Sequence, residues 1–212
     1  DGTQDAVTLG NGVGIIGGSD TGNVNAEANV NAIDIQVMTL AAQSATGIYL
    51  SEADGVTVQQ TGNLSISEVN FNSTLTTRTD LSLSDLVTTN NGAIKLVSLA
   101  GTITLNDGVA GAIHGNDGIS VRAHSVTDPN AVNSPGSILL EARGAASDIV
   151  VNADIVTQNN IGGAGRGHIT LLADDDILQN ADILTDGTQN TTGVKGSVQL
   201  VAFNGTLDGA GQ

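Results

Sequence analysis

The chain has 212 residues, enough for one β domain with a sizeable core, and carries a net charge of −16 with only six basic residues. Nucleic acid and anionic membranes are therefore poor partners, and the lack of cysteine excludes disulfides and thiolate metal sites. Aromatic residues make up 1%, so Val, Ile, Leu and Ala must form the core, which suits a narrow stack of small side chains.

Residues 1–31 are rich in Gly, Asn and Asp with an apolar island at 13–16, and we predict an irregular N-terminal portion with one or two short strands. From Ala32 the pattern alternates, with Ile33, Ile35 and Val37 on one face, which predicts a half-buried strand. Residues 37–45 suit either further strand or a short helix. No apolar run approaches the roughly 20 residues that a membrane-spanning helix needs.

The stretch 47–58 predicts two strands around a turn at Asp54 and Gly55. Further strands are predicted after Gly62, within 73–86, over 92–99 and over 101–105, and after Gly118. Residues 125–135 contain both prolines, Pro129 and Pro135, and predict a polar loop.

The clearest signal is a repeat over 136–203. Gly136, Gly167 and Gly196 open similar segments 31 and 29 residues apart (167 − 136 and 196 − 167). Asp148 and Asp176 lie 28 apart, and each is followed by a segment that contains Asn-Ala-Asp-Ile. A unit of this size cannot bury its own apolar face unless it stacks on a neighbour, so the period predicts a β-solenoid.

The opener of each repeat is a glycine followed by alternating aliphatic residues. It occurs at Gly62, Gly92, Gly118, Gly136, Gly167 and Gly196, with spacings of 30, 26, 18, 31 and 29. We predict that each opener begins a strand of one sheet, and that Ile138, Ile169 and Val198 line up in one column. About seven coils, spaced at about 4.8 Å, would form a body about 35 Å long.

These observations predict an all-β fold, a right-handed parallel β-helix, in a single domain over 1–212. Residues 32–212 would form the repeat coils, with the last coil incomplete. Handedness follows the rule for parallel crossovers. An antiparallel sandwich is the structural alternative, but a sandwich has no reason to repeat at one period.

The Gly-Ser-Ile-x-Leu-x-Ala pattern at Gly136, the run 148–157 and the stretch 51–56 resemble the repeats of large bacterial exoproteins of the filamentous-haemagglutinin-like kind. The likeness covers about 32–208. It implies a right-handed parallel β-helix, an extracellular or cell-surface location, and adhesive or structural work. The chain departs from that family in size and shows no match to its secretion domain.

Motifs that carry chemistry are scarce. The G-x-G-x-x-G match at 12–17 is followed by Gly and Ser instead of a helix, so we interpret it as a turn. The cluster Asp174–Asp176 is either a solvated corner of the stack or a calcium site. The glycine-rich stretch 162–167 lacks the acid of calcium-binding repeats.

Polar residues elsewhere also favour structural roles. His114, His124 and His168 have no spacing typical of a metal site and are predicted at the surface. Asn152 and Asn180 occupy equivalent repeat positions, which predicts an asparagine ladder at a bend, where Asn also tolerates left-handed backbone. We assign no catalytic, cofactor-binding or metal residue.

The predicted function is therefore non-enzymatic: a structural or adhesive segment of a bacterial surface protein, filament or matrix. Expected partners are identical subunits or neighbouring repeats, which stack end to end, and a host-surface or matrix polysaccharide. The alternative is a polysaccharide-acting lyase or glycosidase. Its mark would be a groove that holds two or three acids with an Arg or Lys nearby.

Overall fold

The computed structural model describes residues 32–125, 136–159, 167–185 and 196–209. These ranges contain β-strands and turns but no helix, and hence no helical segment able to cross a bilayer. The irregular portion predicted for 1–31, including the glycine motif at 12–17, lies outside the described residues. So do the stretch 162–166 and both prolines of the predicted 125–135 loop.

Most strands belong to three parallel sheets. Sheet 1 contains, in order, β1 (Ile33–Ile35), β4 (Gly47–Glu52), β9 (Ala93–Ser98), β12 (Ile138–Ala142), β15 (Ile169–Ala173) and β18 (Val198–Ala202). Sheet 2 contains β2 (Thr39–Leu40), β5 (Val56–Val58), β10 (Ile103–Leu105), β13 (Ile149–Val151), β16 (Ile177–Gln179) and β19 (Leu207–Gly209). Sheet 3 contains β3 (Ala42–Ser44), β8 (Leu86–Thr88), β11 (Ile119–Ser125), β14 (Asp154–Asn159) and β17 (Ile183–Leu184).

The chain visits sheets 1, 2 and 3 in the same order on each pass, and we call one pass a coil. Each sheet places the strand of one coil directly beside the strand of the next, in parallel. The predicted parallel all-β architecture is confirmed, and the described residues contain six coils, whereas about seven were predicted for the chain. The antiparallel sandwich and the helix considered for 37–45 are wrong, since β2 and β3 occupy that segment.

The interior is built from aliphatic columns that cross the coils. Ile138 pairs with Ile169, and Ile169 pairs with Val198, so the predicted column is confirmed. It continues through Ile94 to Ile48 in the earlier coils. Successive residues of a strand point to opposite faces, so every second residue contributes its side chain to such a column. There the aliphatic side chain is buried away from water.

Two of the six glycine openers were placed wrongly. Gly118 precedes a strand of sheet 3, so the spacings of 26 and 18 add up to one coil of 44 residues, from Gly92 to Gly136. Gly62 precedes β6 (Leu64–Val69), which pairs with β7 (Leu75–Asp80) in an antiparallel hairpin outside the stack. The strand of sheet 1 in that coil instead begins at Gly47, 45 residues before Gly92.

The true openers are glycine because successive coils approach closely at this corner. A Cβ on Gly167 would lie 2.7 Å from the carbonyl oxygen of Gly136 and 2.6 Å from Cβ of Thr157. A Cβ on Gly136 would overlap the backbone of Gly92 in the same way, whereas Gly62 has open space around it. Glycine is therefore required at the openers of the stack, where a side chain would meet the neighbouring coil. At Gly62, before the hairpin, no such crowding requires it.

Candidate functional site

Polar side chains at the corner before sheet 2 hold the register between coils. The hydroxyl of Thr102 accepts a bond from the N–H of Asp148 at 3.1 Å, and Asp148 Oδ1 accepts from the N–H of Asp176 at 3.0 Å. Asp176 Oδ1 in turn accepts from the N–H and the hydroxyl of Thr206 at 2.5 and 2.9 Å. These bonds lower the pKa of Asp176, because they stabilise its charged form.

The predicted cluster 174–176 is only partly a cluster. Carboxylate oxygens of Asp175 and Asp176 lie within 4.8 Å of one another and of Asp148, from the previous coil. Asp174 instead accepts a bond from the N–H of Gly144 at 2.7 Å. Since two of the three grouped carboxylates already bind backbone N–H groups, we assign no metal here, and calcium remains a prediction.

The asparagine ladder is confirmed and is longer than predicted. Asn180 Nδ2 donates to Asn152 Oδ1 at 2.7 Å, and Asn152 Nδ2 donates to Asn106 Oδ1 at 3.0 Å. Asn106 Nδ2 continues to Gln59 at 3.4 Å. Neither Asn152 nor Asn180 has a positive φ, so the left-handed backbone is not the reason for asparagine at this bend. The amide side chains themselves link four coils.

A second acidic group was missed by the sequence reasoning. Carboxylate oxygens of Asp85, Asp107 and Asp117 lie within 4.8 Å of one another. Asp85 is 1% exposed, and its Oδ1 accepts a bond from the Ser84 hydroxyl at 2.6 Å. Burial raises the pKa of Asp85 to about 7, with smaller contributions from Asp117 and Asp107 that the Ser84 bond opposes. No motif links these positions, which are up to 32 residues apart (117 − 85).

Arg122 lies beside this acidic group, and its Nη2 is 2.5 Å from Asp117 Oδ2. Three acids with an arginine nearby are part of the arrangement that we expect in a polysaccharide-acting enzyme. Glycosidases, however, need carboxyl groups at least about 5 Å apart, on either side of an accessible bond. Asp85 is closer than that to its neighbours and is covered. The group therefore does not suit glycoside hydrolysis.

A shallow groove of about 450 Å³ runs over the outer face of sheet 1, lined among others by Tyr49, Lys95, Leu139 and His168. Lys95 has no ion-pair partner within the described ranges, unlike Arg78, Arg122 and Arg143. The Nδ1 atom of His168 accepts a bond from the N–H of Ser197 at 3.0 Å, so a neutral ring carries its proton on Nε2.

The three histidines were predicted to lie at the surface, and the outcome differs for each of them. His168 is exposed, as predicted. His114 is only half-buried and binds Gln43 at 3.1 Å, so its prediction is correct only in part. The side chain of His124 lies outside the described residues.

Within the described part of the chain, the two outer strands of sheet 1 are each paired on one side only. In the ranges that the structure covers, no strand pairs with the far side of β1 or of β18. Ile33 of β1 is 58% exposed and Val198 of β18 is 42% exposed, although residues of the same columns are buried in the inner coils. Unpaired backbone next to uncovered aliphatic side chains is a template for a further strand.

Comparisons with family models, curated proteins and solved structures find no match to this chain.

Proposed function

We propose that the chain is a right-handed parallel β-helix that acts as a stiff structural or adhesive segment of an extracellular bacterial surface protein, filament or matrix. The observation that carries this proposal is the set of aliphatic columns that runs through the described coils. The right hand follows from the strong preference of parallel crossovers. The proposal is non-enzymatic.

Stiffness follows from how each coil is joined to the next. Three parallel ladders, a dry aliphatic interior, and the Asp and Asn bonds at the corners all link neighbouring coils. Six strands stacked at about 4.8 Å make a rod about 24 Å long. Bending such a rod requires several of these interactions to open together, which is the property that a spacer or filament needs.

An extracellular location is supported by the repeat style and by the absence of cysteine together with the acid excess. The groove on sheet 1 offers Tyr49 as a ring, and Lys95 and His168 as hydrogen-bond donors. These groups suit contact with a host-surface or matrix polysaccharide.

Self-association end to end is the main partner proposal. At the inner coils the N–H of Ile138 donates to the carbonyl of His168, and the N–H of Ile169 donates to the carbonyl of Ser197. Val198 is the next residue of that column, so its N–H is directed to the free edge of β18. A second copy that presents β1 would find this donor and the exposed Val198 side chain.

The test is assembly of the purified chain, followed by light scattering and electron microscopy at rising concentration. We expect fibres from the wild type and loss of fibres from Val198→Pro, which removes the outward N–H but keeps the inner ladder. Val198→Ala keeps the donor and is the matched control. Monomers at every concentration, or equal assembly of Val198→Pro and wild type, would contradict the proposal.

A further inference from the structure

The segment 106–118, which links β10 to β11, folds back over the start of sheet 3. Ser84 N–H donates to the carbonyl of Ile113, and Ile113 N–H donates to the carbonyl of Ser82, both at 2.9 Å. Gly108 lies so close to Ser84 that a Cβ at this position would overlap its side chain. The segment also closes on itself, because Asp107 accepts bonds from two backbone N–H groups, those of Asn116 at 3.0 Å and Gly118 at 2.8 Å.

Asp85 lies beneath this segment and has too little positive charge around it. The segment contributes Asp107, Asp117 and His114, and β11 contributes Arg122. Burial and the nearby Arg122 lower the pKa of His114, so the imidazole is neutral at pH 7 and adds no charge. With all three acids ionised, the group has a charge of −2, which is unfavourable around a covered carboxylate.

The backbone around this contact is strained. Five non-glycine residues in the described ranges have positive φ, and three of them belong to this contact: Asp85 at 69°, His114 at 65° and Asn116 at 63°. Such conformations persist only where the surrounding packing holds them, and they are common at elements that change state. A modest electrostatic change can therefore shift the balance between a docked and a loosened segment.

We propose that the segment 106–118 is a latch that a proton on Asp85 keeps docked on sheet 3 and that ionisation of Asp85 loosens. An ordinary carboxyl group would be ionised throughout the neutral range. With the pKa of Asp85 raised to about 7 in the docked state, docking weakens as pH rises from about 4 to about 7 and changes little above about pH 8. This inference concerns the coil at β10 and β11 and does not depend on the proposed filament function.

Hydrogen exchange of the full chain from pH 5.5 to 8.5, with a chelator present so that no cation replaces the proton, tests this latch. After correction for the intrinsic exchange rate, we expect peptides from 106–118 to lose about tenfold in protection between pH 6 and 8. Peptides from β9 should not change. Asp85→Asn should keep the segment protected throughout, whereas Glu141→Gln, which alters an outer acid paired with Arg143, should behave as wild type.

Protection of 106–118 that is unaffected by pH, or that changes equally in wild type and Asp85→Asn, would overturn the inference. Titration of the carboxyl carbon of Asp85 by NMR serves if Asp85→Asn does not fold, because it uses the wild type alone. A midpoint near pH 7 supports the latch, and a midpoint below pH 5 overturns it.

Discussion

The buried carboxyl group of Asp85 predicts an unusual dependence of stability on pH. Its pKa rises from the ordinary 3.8 to about 7 on folding, chiefly through burial. The folded protein therefore holds a proton that the unfolded chain has already lost between these two values. Stability from this group is fully present below about pH 4, falls as pH rises to about 7, and is constant above that.

The magnitude follows from the size of the shift. A shift of about 3 pH units corresponds to about 4 kcal/mol, at 1.36 kcal/mol per unit. Asp107 and Asp117 beside it are both at least partly exposed, so solvent reduces the cost of the buried charge and we expect about 2 to 4 kcal/mol. Asp85→Asn keeps the shape of the side chain and has no charge to bury. The variant should gain this amount relative to wild type between pH 4.5 and 8.

Urea unfolding of both proteins at several pH values measures this difference, since the other carboxyl groups titrate alike in both. The slope of free energy against urea should stay the same, which shows that the two states are comparable. Parallel curves of stability against pH for wild type and Asp85→Asn would refute the reasoning. A difference that grows toward low pH would show that the sign is wrong.

Three other predictions concern the stack. Gly136→Ala should destabilise the protein by at least about 2 kcal/mol, because the added Cβ would overlap the backbone of Gly92. Gly62→Ala, at a position with open space around it, should be near neutral, and thermal melting of the two variants measures the difference. Leu140→Ala should cost about 2 to 5 kcal/mol in urea unfolding, and the outward Leu139→Ala much less, so equal losses would argue against a dry column. If calcium binds at the corner formed by Asp148, Asp175 and Asp176, a chelator should lower the melting temperature. An unchanged melting temperature would argue against calcium at this corner.

The repeat was sufficient to predict the parallel stack. Residues at equal positions of Gly-x-Ile-x-Leu units lie above one another when coils stack, so Ile138, Ile169 and Val198 could be aligned from spacing alone. The ladder of Asn152 and Asn180 follows from the same reasoning, since an amide can bond to its equivalent in the next coil. These features depend on local periodicity, which the chain states directly.

The same local pattern could not tell which sheet a strand joins. Gly62 and Gly118 open strands as the other glycines do, but one begins a hairpin and the other begins a strand of sheet 3. Only the neighbours of each strand decide its sheet, and those neighbours are distant in the chain.

Contacts made by non-repeating segments also could not be predicted from the sequence. Asp85 meets Asp107 and Asp117 because a non-repeating segment folds back over sheet 3, and no spacing marks that return. Periodic residues thus predict which residues of neighbouring coils stack on each other, because equivalent units repeat equivalent contacts. The covered carboxylate, its raised pKa and the strained backbone around it arise from one unrepeated contact, which tertiary packing alone creates.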